Sequence, residues 1–325
     1  MKLHTDVNAF KVLLQALHKQ SGIRADVLEK DYYVVLMLKE LAAKQQAGLP
    51  AYFKGGTALY KALRTTNRFS EDIDLSVDTR GCSRTQNDRL LERAAKKYES
   101  LPRDASQGRT NRSEVVAVFT YTPVSEYDAS DALQRFGRVK LEATSFTISE
   151  PVESLEVSPV VYDLGSAAQR RILREQYEVA PFPVLTITME RIFIDKLFAA
   201  EAYVRKSDET HRAFEAAKHI YDLAVMSAQP KIQALLASEE NIRRLLDIRV
   251  QEEAERLDGI PGVMPKEFSF FETAGENAAV RKAYTVMQNQ YVFRAEDRID
   301  YDVALARVQT IFAALEKNRG WKEYH

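Results

Sequence analysis

Phe53-Lys54-Gly55-Gly56-Thr57-Ala58-Leu59-Tyr60-Lys61-Ala62-Leu63-Arg64-Thr65-Thr66-Asn67-Arg68-Phe69-Ser70-Glu71-Asp72-Ile73-Asp74-Leu75-Ser76-Val77 joins a double-glycine turn, opening a helix, to a strand with two carboxylates on one face. Residues 51–54 read as a short strand, Gly55-Gly56-Thr57 as the turn, and 58–63 as the helix. Glycine lets backbone N–H groups come close to a ligand, and an open helix N-terminus offers donors and partial positive charge to phosphate oxygens. Thr57 caps the helix or bonds a phosphate; a plain N-cap turn is the competing reading.

The following strand shifts the balance. Side chains alternate along a strand, so Asp72, Asp74 and Ser76 share one face while Ile73, Leu75 and Val77 enter the core. Two carboxylates two residues apart repel, and hard oxygen ligands at this spacing suit Mg²⁺. Alone, Asp-Ile-Asp also fits a surface strand; placed after a phosphate-cradling turn, it points to a nucleotide and metal site. The strand expected over 137–148 sets Val139, Leu141 and Ala143 against Lys140, Glu142 and Thr144. Glu142 is then a third carboxylate for the same face, or a polar residue turned to water.

Helical periodicity covers 6–20 and 24–44, the latter carrying Asp31 inside an apolar stripe, where a carboxylate must be salt-bridged or coordinated. A helix is expected over 83–100, a polar loop over 101–112, a strand over 114–121 and a short extended segment over 184–187. Beyond it the chain reads as helical: 188–206, 210–227, 230–249 and two more within 276–319. In the first of these Lys196 lies mid-stripe, either meeting an anion or snorkelling outward. Asp222 borders the stripe of the next helix and could pair with Lys218 on the surface. His211 and His219 receive no role beyond packing or RNA contact.

The 325 residues, 45% hydrophobic and 29% charged, fit a globular protein long enough for two domains. Cys82 is the single cysteine, so neither an internal disulfide nor a Cys/His zinc site is available and any metal should be held by oxygen. No apolar run is long enough to span a bilayer and no signal-peptide core is visible, which makes a cytoplasmic location the expectation. The net charge is −1, but residues 61–112 carry twelve Lys and Arg against eight Asp and Glu. That local excess suits a polyanionic partner such as RNA, or is a solvated charged helix.

Gly55-Gly56-Thr57 with Arg68-Phe69-Ser70-Glu71-Asp72-Ile73-Asp74-Leu75, then Lys140-Leu141-Glu142, Asp195-Lys196-Leu197 and Tyr221-Asp222-Leu223 resemble the bacterial AbiEii/AbiGii toxin family, as does the opening Leu28-Glu29-Lys30-Asp31-Tyr32. The likeness spans about residues 24–228. It implies an α+β fold: a polymerase β-type nucleotidyltransferase domain with a mixed sheet and N-terminal helices over 1–180, and a helical C-terminal domain over 181–325 that completes the active-site cleft. Carried over, it makes Gly55, Gly56 and Thr57 nucleotide-phosphate contacts and Asp72, Asp74 and Glu142 ligands for one or two Mg²⁺ ions. It also makes Lys196 a phosphate contact and Asp222 a base or positioning group, with Asp72, Asp74, Lys196 and Asp222 as the catalytic set.

The function so implied is a Mg²⁺-dependent nucleotidyltransferase toxin of a toxin–antitoxin or abortive-infection system. It would take an NTP, pass NMP to an RNA acceptor such as a tRNA 3′ end, and so inhibit translation; a cognate antitoxin is an expected partner and a membrane is not. NMP transfer to a protein or small molecule is the alternative enzyme. A non-catalytic nucleotide- or RNA-binding regulator is the alternative outside enzymes, against which the intact Asp-x-Asp pair stands.

Overall fold

In a computed structural model the described residues are 2–126, 136–207, 210–256, 263–292 and 294–324. The chain divides into two compact units, Met1–Leu63 with Ser70–Ile187 and Arg64–Phe69 with Thr188–His325. The first unit therefore runs past residue 180, because the short extended segment expected there is a strand of its sheet.

The first unit contains, in chain order, α1 (Val7–Ser21), α2 (Ala25–Gln46), β1 (Ala51–Lys54), α3 (Gly55–Lys61), β2 (Ile73–Val77), α4 (Arg84–Ala95), β3 (Arg103–Thr110) and β4 (Glu114–Thr120), followed by β5 (Arg138–Thr144), β6 (Val152–Val157), α5 (Val160–Asp163), α6 (Ala167–Tyr177) and β7 (Phe182–Ile187). The strands form one mixed sheet in the order β3-β4-β5-β2-β1-β7-β6. β2 runs parallel to β5 and β1 parallel to β7, while the other neighbours are antiparallel. Alternation works as expected where the sheet is packed: Ile73, Leu75, Val77, Val139, Leu141 and Ala143 are all buried.

The expected loop over 101–112 contains β3, an edge strand of Arg, Asp, Ser, Gln and Gly with nearly every residue exposed. With no packed face it carries no hydrophobic period, and its strand character comes from the β4 ladder. At the other edge of the sheet lies β6, whose exposed residues are Val152, Ser154 and Glu156.

α2 buries Asp26, Glu29, Lys30 and Asp31 along with its apolar stripe. Each buried acid or base finds a partner. Glu29 accepts from the Val124 and Ser125 amides at 2.7 and 2.8 Å. Asp31 accepts from the Val160 amide at 2.7 Å and meets Lys61 Nζ of α3 at 2.8 Å. Lys30 lies 3.5 Å from Glu71 and donates to the Arg138 carbonyl. Farther along, Glu40 accepts from the amides of Glu99 and Ser100. The Asp31 partner is thus a lysine of the glycine-turn helix, Lys61.

The second unit contains α7 (Met189–Val204), α8 (Thr210–Met226), α9 (Pro230–Ala237), α10 (Glu239–Arg256), α11 (Phe270–Glu276), α12 (Ala278–Tyr291), α13 (Tyr301–Leu315) and α14 (Arg319–Lys322). Ile192, Leu197, Ile220, Leu223, Tyr284, Met287, Val308 and Ile311 are among its buried residues. The single helix expected over 230–249 is broken at Ser238, which is extended (φ −106°, ψ 108°). The segment Arg64–Phe69 belongs here by its contacts: the Phe69 backbone amide donates to the Tyr291 carbonyl at 2.7 Å, Arg68 forms a β-bridge with Val292, and the Asn67 side-chain Nδ2 donates to the Asp297 carboxylate at 2.8 Å. Among the described residues no helix is long and apolar enough to cross a membrane.

Lys61 and Asp31 are 4% and 2% exposed, so removing one member strands the other charge in the core. Lys61→Met should cost about 3–5 kcal/mol in urea unfolding at neutral pH. Lys61→Met combined with Asp31→Leu should recover part of that loss; a single-variant cost under about 1 kcal/mol would show that the pair does not hold α3 against α2.

Candidate active site

The acidic face of the first unit is assembled by two ladders. β1 pairs β2 so that Lys54 faces Asp74, and β2 pairs β5 so that Asp74 faces Glu142. Parallel pairing makes Asp74 and Glu142 neighbours on the same face, as the alternation predicts. Asp72 stands just before β2, and its carboxylate meets Lys140 Nζ at 2.8 Å, a partly exposed pair. Lys54 Nζ donates to the Thr144 hydroxyl at 3.1 Å.

Glu142 registers this crowding. Burial raises its pKa to about 7, and the Asp74 carboxylate adds to the shift, with Lys140 and Lys54 opposing it. On Lys140 the balance is reversed: burial lowers its pKa, but Asp72, Asp74 and Glu142 together hold it above the ordinary lysine value. Lys54 and Lys140 are therefore the internal cations of an acidic cluster. Among the described residues no group of three or more His, Cys, Asp or Glu side chains stands arranged as a metal cage, Asp72 being engaged by Lys140.

Gly55 is fixed by this cluster. Its φ is +78°, and a Cβ there would come 2.2 Å from Asp74 Oδ2. Only glycine allows both the left-handed backbone and the close approach of that carboxylate. Gly56 follows in the first turn of α3. Thr57 is not the N-cap: the residue preceding α3 is Lys54, and the Thr57 hydroxyl is fully buried, 2.5 Å from the Asp72 carbonyl and 2.9 Å from Ser70 Oγ. The side chain ties the glycine turn to the acidic strand and does not cap the helix.

The second unit answers the question posed by Lys196. Lys196 is 5% exposed, and its Nζ lies 2.6 Å from Asp222 Oδ2. Asp222 is fully buried and is also gripped by Arg68, with Nε at 3.0 Å from Oδ1 and Nη2 at 2.8 Å from Oδ2. Burial would raise the Asp222 pKa, but Arg68 and Lys196 hold it well below the ordinary carboxylate range. A carboxylate held ionised between two cations is poorly suited to accept a proton, which leaves positioning as the role its surroundings fit. The surface pair with Lys218 does not form; Lys218 bonds Glu215 at 2.6 Å. His219 stacks on Tyr203 with ring centroids 5.5 Å apart, burial keeps its pKa well below the ordinary value, and His211 is exposed.

The expected residues thus gather as Gly55, Asp72, Asp74 and Glu142 in the first unit, and as Lys196 and Asp222 in the second. Arg68, Lys54 and Lys140 are additions. Arg68 stood within the quoted motif, but a charged residue in a polar segment gives no sequence sign of burial; Lys140 was assigned only a face.

The family described as "Nucleotidyl transferase AbiEii toxin, Type IV TA system" matches residues 37–314. The chain belongs to the AbiEii nucleotidyltransferase toxin family. It is accordingly a nucleotidyltransferase of a toxin–antitoxin system, on a mixed α+β fold with a helical C-terminal region. Among curated proteins none matches the sequence. Two solved structures from Helicobacter pylori are distantly similar. JHP933 is 16% identical, with 78% of this chain and 92% of that one covered at a TM-score of 0.32. A candidate nucleotidyltransferase is 15% identical, with 78% and 95% covered at 0.31.

In this AbiEii-family protein Glu142 should titrate near pH 7 by carbon-detected NMR. A carboxyl whose folded pKa is raised favours folding at low pH, so its contribution to stability declines as pH rises from about 4.5 to about 7. Asp74→Asn should move the midpoint part of the way down, since the burial remains. An unchanged midpoint would show that the two carboxylates are not coupled.

Proposed function

We propose that the protein transfers NMP from an NTP to an RNA hydroxyl, with a tRNA 3′ end as the favoured acceptor, and that Mg²⁺ serves the reaction. The observation that carries this reading is the pairing of Asp74 with Glu142, which sets two carboxylates side by side; burial first, and the Asp74 charge second, raise the Glu142 pKa to about 7. Like charge assembled at such cost, with Asp74 and Glu142 as adjacent hard oxygen donors and Asp72 joining them once it exchanges Lys140 for the metal, fits a divalent cation. Bound there, Mg²⁺ would favour ionisation of the acceptor hydroxyl and neutralise charge on the departing pyrophosphate.

The chain's own residues supply position and charge. The Gly55-Gly56 backbone offers a surface without side chains where triphosphate oxygens can approach amides. Lys196 adds a point charge for the phosphates, and Asp222 fixes that lysine in place. The Thr57 hydroxyl, committed to the Asp72 carbonyl, keeps the turn aligned with the acidic strand. An RNA acceptor accords with the excess of Lys and Arg over residues 61–112. A cognate antitoxin acting on the enzyme, its product or its transcription completes the reading, in keeping with the type IV family.

Purified protein incubated with each α-³²P-labelled NTP, Mg²⁺ and total RNA should label a discrete RNA species. Asp74→Asn should reduce labelling by at least about a thousandfold, the size expected for loss of a group that acts mainly on the transition state, and should retain the wild-type circular dichroism. Label on protein, or on a small molecule, would replace the acceptor. Equal labelling by wild type and variant would remove Asp74 from the reaction, and no labelling would favour the binding regulator.

A further inference from the structure

Arg68 is absent from every role assigned above, yet it is 4% exposed and directs its Nε and Nη2 at the two oxygens of a single carboxylate. Arg68, Asp222 and Lys196 form a buried cluster of two cations and one anion, which leaves one positive charge in excess. The Lys196 ammonium has three N–H donors, and among the described residues its one ion-pair partner is Asp222. A lysine paired with a carboxylate alone would be neutralised and would present little field to an incoming phosphate. With Arg68 occupying the same carboxylate in a fork geometry, that neutralisation falls on the arginine.

We infer that Arg68 is a positioning and charge-setting residue. By neutralising Asp222 it lets that carboxylate hold the Lys196 ammonium in place without cancelling its charge, so Lys196 keeps one surplus positive charge for the triphosphate. This rests on the phosphate role of Lys196 proposed above. Arg68 need not touch the nucleotide. Its fork is already committed to both Asp222 oxygens, and a further contact from its Nη1 goes to the Phe69 carbonyl at 3.3 Å.

The test is nucleotide binding rather than turnover. Isothermal titration calorimetry with α,β-methylene triphosphates and the matching monophosphates, with Mg²⁺ present, compares wild type, Lys196→Met, Arg68→Gln, Arg68→Lys and the double variant Arg68→Gln/Asp222→Asn, with melting temperatures as the fold check. Arg68→Gln should weaken triphosphate binding by about tenfold or more, equivalent to about 1.4 kcal/mol, while monophosphate binding changes much less. The double variant again leaves a cluster with net charge +1, so it should bind triphosphate more tightly than Arg68→Gln alone. Arg68→Lys should fall between Arg68→Gln and wild type. Equal losses for triphosphate and monophosphate, or a double variant weaker than the single, would overturn the inference and leave Arg68 as core support. Should Arg68→Gln fail to fold, Arg68→Lys and the charge-balanced double variant decide it: triphosphate binding clearly tighter than that of Lys196→Met supports the inference, and binding as weak as that of Lys196→Met overturns it. The two readings fail separately. Undiminished triphosphate binding by Lys196→Met defeats the phosphate role of Lys196, whereas a loss with Lys196→Met but none with Arg68→Gln defeats only the role of Arg68.

Discussion

The backbone ladder between β2 and β5 sets Asp74 beside Glu142, and much of the first unit is arranged around that forced proximity. Two carboxylates on adjacent strands would separate if their side chains alone decided, but the register is fixed by the burial of Ile73, Leu75, Leu141 and Ala143 on the opposite face. Slipping β2 by one residue would relieve the charge and turn Ile73, Leu75 and Val77 away from the core face. The hydrophobic term wins, and the electrostatic cost appears as a proton retained on Glu142 and as two lysines drawn to the cluster.

The same trade recurs elsewhere. α2 sends four charged groups into the interior, and three of its acids, Glu29, Asp31 and Glu40, accept from the backbone amides of distant loops. In each case a carboxylate of α2 satisfies backbone N–H groups of a segment distant in the chain. In the second unit Arg191 and Glu252, 2% and 1% exposed, pair at 2.5 Å on the same principle.

What the sequence disclosed followed from periodicity and from side-chain chemistry that acts over a few residues. The face of Asp74 and Glu142 was legible because alternation fixes it, and the anion needed by Lys196 was legible because a mid-stripe ammonium demands one. The identity of that anion was not, since Asp222 stood at the border of its own helix stripe and its partner Arg68 lies 154 residues away in the chain. β3 went unseen for a different reason: an edge strand with solvated faces has no apolar period, and only the neighbouring strand defines it. The cap reading of Thr57 failed because local rules favour a cap, whereas its hydroxyl is claimed by a carbonyl fifteen residues on.

The short segment Arg64–Phe69 bears on how such a protein can be taken apart or recombined. The chain passes between its compact units three times, after Leu63, after Phe69 and after Ile187. A single scission after Ile187 would not yield two self-sufficient modules, for the N-terminal fragment would carry away Arg68 and leave Asp222 short of a cation in the other. Swapping the C-terminal helices between homologues would succeed only when the hexapeptide travels with them, so inheritance of the two parts is linked by six residues that lie outside the stretch exchanged.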